Sequence, residues 1–336
     1  MIAPRDYQQN AHDAVIGWVR RSSEPCVIEA PTGAGKSVII AMLASTLTSI
    51  SQGKHVLCLA PRAELVVQNR AKYLATGEPA SVYSASAGQK CLKHPVVFAT
   101  PGTFKGKARA IGGKFCAVVL DEAHGITPTV QAIIEDMRIS NPNLRVIGLS
   151  ATPYRLGTGY IYQTDETGRA YGPDRAVNPY FAARVFTISA RELLDRGFLT
   201  PPKIGQINAE NYETLHLELN RRGQFDAGDV DRAFIGHGRK TAMIVADVVA
   251  QSRDRLGVML FAATVQHAKE VLASLPHALS AIITGETAKS DRDRIIERFK
   301  ARQIKYLVNV DVLTTGFDAD HVDVIALLRA TESVSL

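Results

Sequence analysis

The chain predicts an α/β protein made of two units, each a parallel sheet flanked by helices. Three observations carry this. Short apolar, β-branched runs alternate with helical patterns along most of the 336 residues, which is the signature of a parallel sheet with crossover helices. The first run, residues 26–30, passes through the loop Ala30-Pro31-Thr32-Gly33-Ala34-Gly35-Lys36-Ser37 into the aliphatic stretch Val38-Ile39-Ile40-Ala41-Met42-Leu43. A later run, residues 116–120, ends on Asp121-Glu122-Ala123-His124.

In order, strands are expected at residues 26–30, 55–60, 96–99, 116–120, 145–149 and about 184–188. A polar stretch from Tyr154 to Pro179 interrupts them. It carries Gly157, Gly159, Gly168 and Gly172 with few aliphatics, so it reads as a long surface excursion. The first unit is therefore residues 1–199. Pro201-Pro202 opens a weakly patterned connector, residues 200–238, with some helix of its own. A second unit, residues 239–336, restarts the alternation. It reads as helix 240–252, strand 257–262, helix 264–275, strand 280–283, helix 290–301, strand 305–309 and strand 322–328. It is shorter and has no phosphate loop.

A hydrophobic content of 46% with 21% charged residues marks a globular chain, neither disordered nor fibrous. The net charge of +6 favours a polyanionic partner mildly. Cys26, Cys58, Cys91 and Cys116 form no Cys-x-x-Cys pair, so a structural zinc site has no support. The N-terminus has no signal-peptide core and no apolar run is long enough to span a bilayer. The expectation is a cytoplasmic protein without a membrane partner.

The loop at residues 30–37 is a phosphate cradle. Its glycines let backbone N–H groups turn toward phosphate oxygens, and the following helix adds the positive end of its dipole. Pro31, Thr32, Gly33, Ala34 and Gly35 form the loop. Lys36 reaches the β- and γ-phosphates, and Ser37 ligates magnesium. The strict pattern places a glycine where this chain has Ala30. Asp121 and Glu122 follow a buried strand at the carboxyl edge of the sheet, where open α/β sheets place ligands. Asp121 is expected to hold magnesium, and Glu122 to orient and polarise the attacking water. Together the two segments predict a site for a nucleoside triphosphate with Mg2+.

Two such units with this loop and an Asp-Glu-Ala-His box resemble the superfamily 2 helicases and translocases. That resemblance implies two RecA-like lobes and ATP as the nucleotide. It gives further residues roles. Arg5 and Gln8, in Arg5-Asp6-Tyr7-Gln8, resemble the adenine-reading segment. Pro61 and Arg62, then Thr100, Pro101 and Gly102, resemble nucleic-acid backbone contacts. Ser150, Ala151 and Thr152 resemble the element that links hydrolysis to movement, and His124 is placed to join it to the acidic box. In the second unit Thr264 and Thr314 resemble strand-end DNA contacts, and Gly316 and Asp318 resemble nucleotide contacts.

Leu199-Thr200-Pro201-Pro202, residues 257–265, residues 306–310, residues 312–318 and residues 332–336 resemble the bacterial RadD group. This implies a helicase-like ATPase of DNA double-strand-break repair. The implied partners are single-stranded or branched DNA, single-stranded-DNA-binding protein and recombination proteins. The family pattern continues with a Gln-x-x-Gly-Arg-x-x-Arg segment and a cysteine-rich zinc region that this sequence does not reach. The expectation is a second lobe incomplete at its C-terminus, and a chain that binds nucleotide but hydrolyses it poorly.

Nucleic acid would be held by its backbone, since a motor must grip every sequence alike. Lys105, Lys107 and Arg109 form a basic run that could add to the grip. Arg292, Arg294, Arg298, Lys300 and Arg302 alternate with acidic residues and read as a solvent-facing helix. Two rival readings stand beside the motor. One is a nucleotide-switched DNA-binding or scaffold protein. The other is a restriction-enzyme motor subunit, though no nuclease carboxylate-lysine cluster stands out.

Overall fold

A computed structural model of the chain describes residues 3–155, 158–203, 205, 212–220, 225–313, 317 and 319–330. The chain divides into two units, residues 1–202 and 203–336. In the first, the elements run α1 (Asp6–Arg21), β1 (Cys26–Glu29), α2 (Lys36–Ile50), β2 (His55–Leu59), α3 (Ala63–Leu74), β3 (Ser81–Ser84), β4 (Gln89–Lys90) and β5 (Val96–Ala99). They continue α4 (Pro101–Phe104), α5 (Ala108–Ile111), β6 (Phe115–Leu120), α6 (Pro128–Ser140), β7 (Arg145–Ser150), β8 (Tyr154–Arg155), β9 (Gly159–Tyr160), β10 (Tyr162–Thr164), β11 (Phe181–Thr187) and α7 (Ala190–Asp195).

Among the described residues, one sheet has the order β10-β11-β1-β7-β6-β2-β5-β3-β4. Every neighbouring pair is parallel except β3 with β4. Alternation sorts the strand side chains to two faces. Cys26, Ile28, Val56, Cys58, Ala117 and Val119 face α1, α2 and α3. Val27, Leu57, Leu59, Val118, Leu120 and Val146 face α4, α5 and α6. The carboxyl ends of β1, β2, β6 and β7 thus come together, with helices covering both faces below them. That edge carries the loops of interest.

The Gly- and Tyr-rich stretch is less of an excursion than its composition implies. β8 and β9 form an antiparallel ribbon, and β10 joins the main sheet parallel to β11. Tyr162 is fully buried. It packs with Tyr160 and Tyr171 at ring-centroid distances of 5.2 and 5.6 Å. Tyrosine rings supply here the apolar area that aliphatics supply elsewhere, which a count of aliphatic residues cannot see.

Gly148, in β7, packs against Phe181 and Ala123. A Cβ at this position would lie 2.7 Å from the Phe181 ring and 2.8 Å from the Ala123 methyl. Ala123 is the third residue of the acidic box, so this glycine sets how closely the box packs on the sheet. Gly148→Ala should cost about 1–3 kcal/mol of stability through overpacking. Urea unfolding of the two proteins measures it.

In the second unit the elements are α8 (Ala227–Phe234), α9 (Gly238–Gln251), β12 (Gly257–Ala262), α10 (Val265–Ala273), β13 (Ser280–Ile283), α11 (Lys289–Lys300), β14 (Tyr306–Asn309) and β15 (Val322–Leu328). The strands pair in the order β13-β14-β12-β15, all parallel. β12 is wholly buried, as a strand covered on both faces should be.

His267, in α10, is fully buried in this unit. Its Nδ1 accepts from the Ala263 N–H at 3.2 Å. Its Nε2–H therefore donates to the Tyr212 hydroxyl at 2.9 Å, and that hydroxyl donates to Thr241 Oγ1 at 3.0 Å. Burial pushes the His267 pKa down to about 4, against a small upward pull from Glu270. The unfolded chain takes up a proton near pH 6.5, and the folded chain only near 4. Stability is therefore lost as pH falls from about 6.5 toward about 4, by on the order of 2–3 kcal/mol. Thermal unfolding from pH 7 to 4, compared with His267→Gln, isolates this part. The variant should lose stability less steeply across that window.

Among the described residues, no helix is long and apolar enough to cross a membrane.

Candidate active site

The phosphate loop leaves β1 at Ala30, whose N–H donates to Ser150 O at 3.0 Å. Ala30 is fully buried in the core, which is why a methyl group is accommodated where the strict pattern has glycine. Gly33 and Gly35 sit at φ +84° and +78°, a region that side chains disfavour. Both are also crowded. A Cβ at Gly33 would lie 2.6 Å from Leu199 Cδ2, and one at Gly35 would lie 2.5 Å from Gln8 Nε2. Gly35 then serves as the N-cap of α2, which starts with Lys36 and Ser37.

Behind the loop, the Tyr7 hydroxyl and Gln8 Nε2 both donate to Ala34 O, at 2.9 and 3.0 Å. The Gln8 carbonyl accepts from the Arg5 N–H at 2.9 Å, completing a capping box at the start of α1. The Arg5 guanidinium lies over the Phe198 ring at 4.5 Å. The structure thus brings Arg5 and Gln8 to the phosphate loop and adds Tyr7, Phe198 and Leu199.

The acidic box is held as tightly. The Asp121 N–H donates to Leu59 O at 2.9 Å. Its carboxylate is buried and accepts from two donors, Asn69 Nδ2 at 2.8 Å and the Glu122 N–H at 3.0 Å. Glu122 is left-handed, with φ 51° and ψ 51°, a conformation that costs a non-glycine residue free energy and gathers at functional sites. Its two oxygens face different partners. Oε1 lies 3.9 Å from Lys36 Nζ, and Oε2 lies 3.3 Å from His124 Nδ1. Lys36 Nζ also donates to Ala30 O at 3.3 Å, so it spans the loop toward the box.

From His124 the chain of contacts continues. His124 Nδ1 is 3.1 Å from Ser150 Oγ, which accepts from the Thr152 N–H at 3.1 Å. Arg155 ties the same turn from the other side, donating to His124 O at 2.5 Å and Ile126 O at 2.6 Å. Lys36, Glu122, His124, Ser150 and Thr152 are therefore one connected set.

The two adjacent carboxylates are driven apart. Burial raises the Asp121 pKa and the Glu122 charge adds to this, against the Asn69 donor. At Glu122 burial also disfavours the charged form. It is outweighed by the His124 hydrogen bond and the Lys36 charge, and the pKa ends below the usual carboxylate range. Divergent environments of this kind separate the roles of neighbouring acids.

The donor chemistry fits magnesium. Ser37 and Asp121 offer hard oxygen donors, and among the described residues no three His, Cys, Asp or Glu converge as a metal cluster. Magnesium is commonly held by one or two protein oxygens while substrate phosphates and water fill the remaining positions.

The expected nucleic-acid contacts are placed less uniformly. Arg62 caps α3 and is exposed, as is Pro61. Lys105, Lys107 and Arg109 are exposed. Thr100 is different: its hydroxyl is buried and lies within hydrogen-bond distance of two other hydroxyls, Ser84 Oγ at 3.0 Å and Thr103 Oγ1 at 3.2 Å. Of that segment Gly102 is exposed and Pro101 half-buried. Thr264 caps α10 through its hydroxyl, accepting from His267 N–H. Thr314, Gly316 and Asp318 lie outside the described residues.

Comparison with known proteins follows the same division. Residues 1–155 match the family described as "Type III restriction enzyme, res subunit", and residues 240–336 match "Helicase conserved C-terminal domain". The chain is 24% identical to the putative ATP-dependent helicase IRC3 of Saccharomyces cerevisiae, covering 99% of this chain and 48% of that protein. It is 26% identical to a 51.5 kDa protein of a Lactococcus phage, covering 92% and 60%. The chain thus spans about half the length of these curated relatives. In fold it is similar to Saccharomyces cerevisiae Dbp5 bound to RNA and ADP BeF3, with TM-score 0.60, 17% identity and coverage of 96% and 74%. It is also similar to the DNA-bound type ISP restriction-modification enzyme LlaBIII, with TM-score 0.58, 14% identity and coverage of 97% and 25%. These likenesses establish RecA-like helicase lobes as the fold.

Proposed function

We propose that this chain is the motor core of an ATP-driven, DNA-directed translocase; the premise is its domain pair, that of the helicase-like superfamily 2 ATPases. The observation that carries the proposal is the connected set of Lys36, Glu122, His124 and Ser150 at one sheet edge. The loop amides and Lys36 bind the triphosphate of ATP. Ser37 and Asp121 would hold Mg2+, which when bound neutralises charge on the phosphate oxygens. Glu122, kept ionised, accepts a hydrogen bond from the attacking water. His124 lies within reach of both Glu122 and Ser150, so a change at the γ-phosphate side is felt at the end of β7.

The choice of DNA rests on the segments that resemble the RadD repair ATPases and on the exposed cations Arg62, Lys105, Lys107 and Arg109. It carries with it a role in double-strand-break repair beside single-stranded-DNA-binding protein and recombination proteins. ATP hydrolysis measured with equal lengths of single-stranded DNA, branched DNA and single-stranded RNA tests it. DNA should stimulate and RNA should not. Equal stimulation by RNA would remove the DNA assignment and leave the ATPase.

A second reading is a restriction-enzyme motor. It is favoured by the match of residues 1–155 to the res-subunit family. It predicts stimulation by unbranched double-stranded DNA above single strands.

A further inference from the structure

We propose that Asn69 is a positioning residue that fixes the Asp121 carboxylate for magnesium, and that α3 thereby links a nucleic-acid contact at Arg62 to the metal side of the site. This rests on the reading of Asp121 and Arg62 given above.

Asn69 is 2% exposed. Its Nδ2 donates to Asp121 Oδ2 at 2.8 Å, across 52 residues of sequence. Its Oδ1 is buried and has no hydrogen-bond partner among the described residues. Turning the amide over would set Oδ1 against a carboxylate oxygen, so the assignment of the amide follows from charge. A buried acceptor left unmatched is unfavourable, and leucine would fill the same space without that cost. What asparagine adds is the donor, aimed at one oxygen of one carboxylate. With the Glu122 N–H on the other oxygen, the plane of the Asp121 carboxylate is fixed from two sides. Groups that orient metal-side ligands in this way govern metal affinity.

The helix gives the contact its second meaning. Arg62 is the exposed N-cap of α3 and Asn69, on its buried side, lies seven residues on, about two turns and ~10 Å along the helix axis. Leu65, Val66, Asn69 and Tyr73 are its buried side, so it moves as one packed body. It also packs along α2, whose first turn carries Ser37. A phosphate engaged at Arg62 therefore bears on a helix that touches the Asp121 carboxylate directly and the Ser37 helix through its flank.

The test uses binding of a fluorescent ATP analogue titrated with Mg2+, in the whole chain. In Asn69→Leu the Mg2+ concentration at half-maximal binding should rise about 10–100-fold. Nucleotide binding in EDTA and the melting temperature should hold. If Asn69→Leu does not fold, Asn69→Ala gives the same readout. Asp121→Asn is the reference. If it shifts the Mg2+ midpoint and a folded Asn69 variant does not, the positioning role is wrong and the metal assignment stands. If neither shifts it, the reading of Asp121 is wrong and the proposal falls with it. For the link along α3, Arg62→Ala and Asn69→Leu should each lower DNA stimulation of hydrolysis, and the double variant should lose less than the combined effect. Full additivity would overturn the link.

Discussion

Glu122→Gln should lower single-turnover ATP hydrolysis by about 10²–10⁴-fold, the usual contribution of a positioned proton acceptor, while ATP affinity holds. The variant keeps the size of the side chain and can still accept a hydrogen bond. It loses the charge that Lys36 and His124 stabilise. Because Glu122 sits at positive φ, the turn is built to aim this side chain, and glutamine tolerates that backbone no worse than glutamate. Measured affinity separates the outcomes. A fall in hydrolysis with unchanged binding places Glu122 at the water. An equal fall in both would mean the residue serves the loop rather than the reaction.

Lys36→Ala should act a step earlier, weakening ATP binding by about 10–100-fold through loss of charge-assisted hydrogen bonds to the phosphates. The lysine also spans from Ala30 O to Glu122 Oε1, so its removal frees Glu122 from its nearest cation. The Glu122 pKa, held down in part by that charge, should rise. Hydrolysis by residual bound ATP should then decline at a higher pH than in the unaltered chain as pH is lowered. Isothermal titration gives the affinity, and a pH series under single turnover gives the second effect.

The reach of sequence reasoning followed the length over which the chemistry acts. The phosphate loop and acidic box were legible because contiguous residues build each one: glycines for the turn, lysine and serine at the helix start, two carboxylates after a buried strand. The strands that carry them were legible because they are apolar on both faces. β10 was not, because tyrosines take the place of aliphatics in its core. Asn69 was invisible because nothing near it in sequence points to Asp121; only the packing of α3 over the sheet, against β5 and β3, brings the two side chains together. Arg155 was missed for the same reason, 31 residues from His124. Phe198 and Leu199 reach the loop from the far end of the first unit. The Thr100 hydroxyl lies in a segment that resembles a nucleic-acid contact, and β3 supplies it with an internal partner, Ser84, that nothing adjacent in sequence points to.

The most direct test of DNA-driven ATP hydrolysis at one connected site is single-turnover hydrolysis of labelled ATP by the whole chain as DNA is titrated, with Lys36→Ala as the reference. The expected result is a slow rate that rises to saturation with DNA and falls sharply in Lys36→Ala. A rate that DNA leaves unchanged, or hydrolysis undiminished in Lys36→Ala, would contradict it.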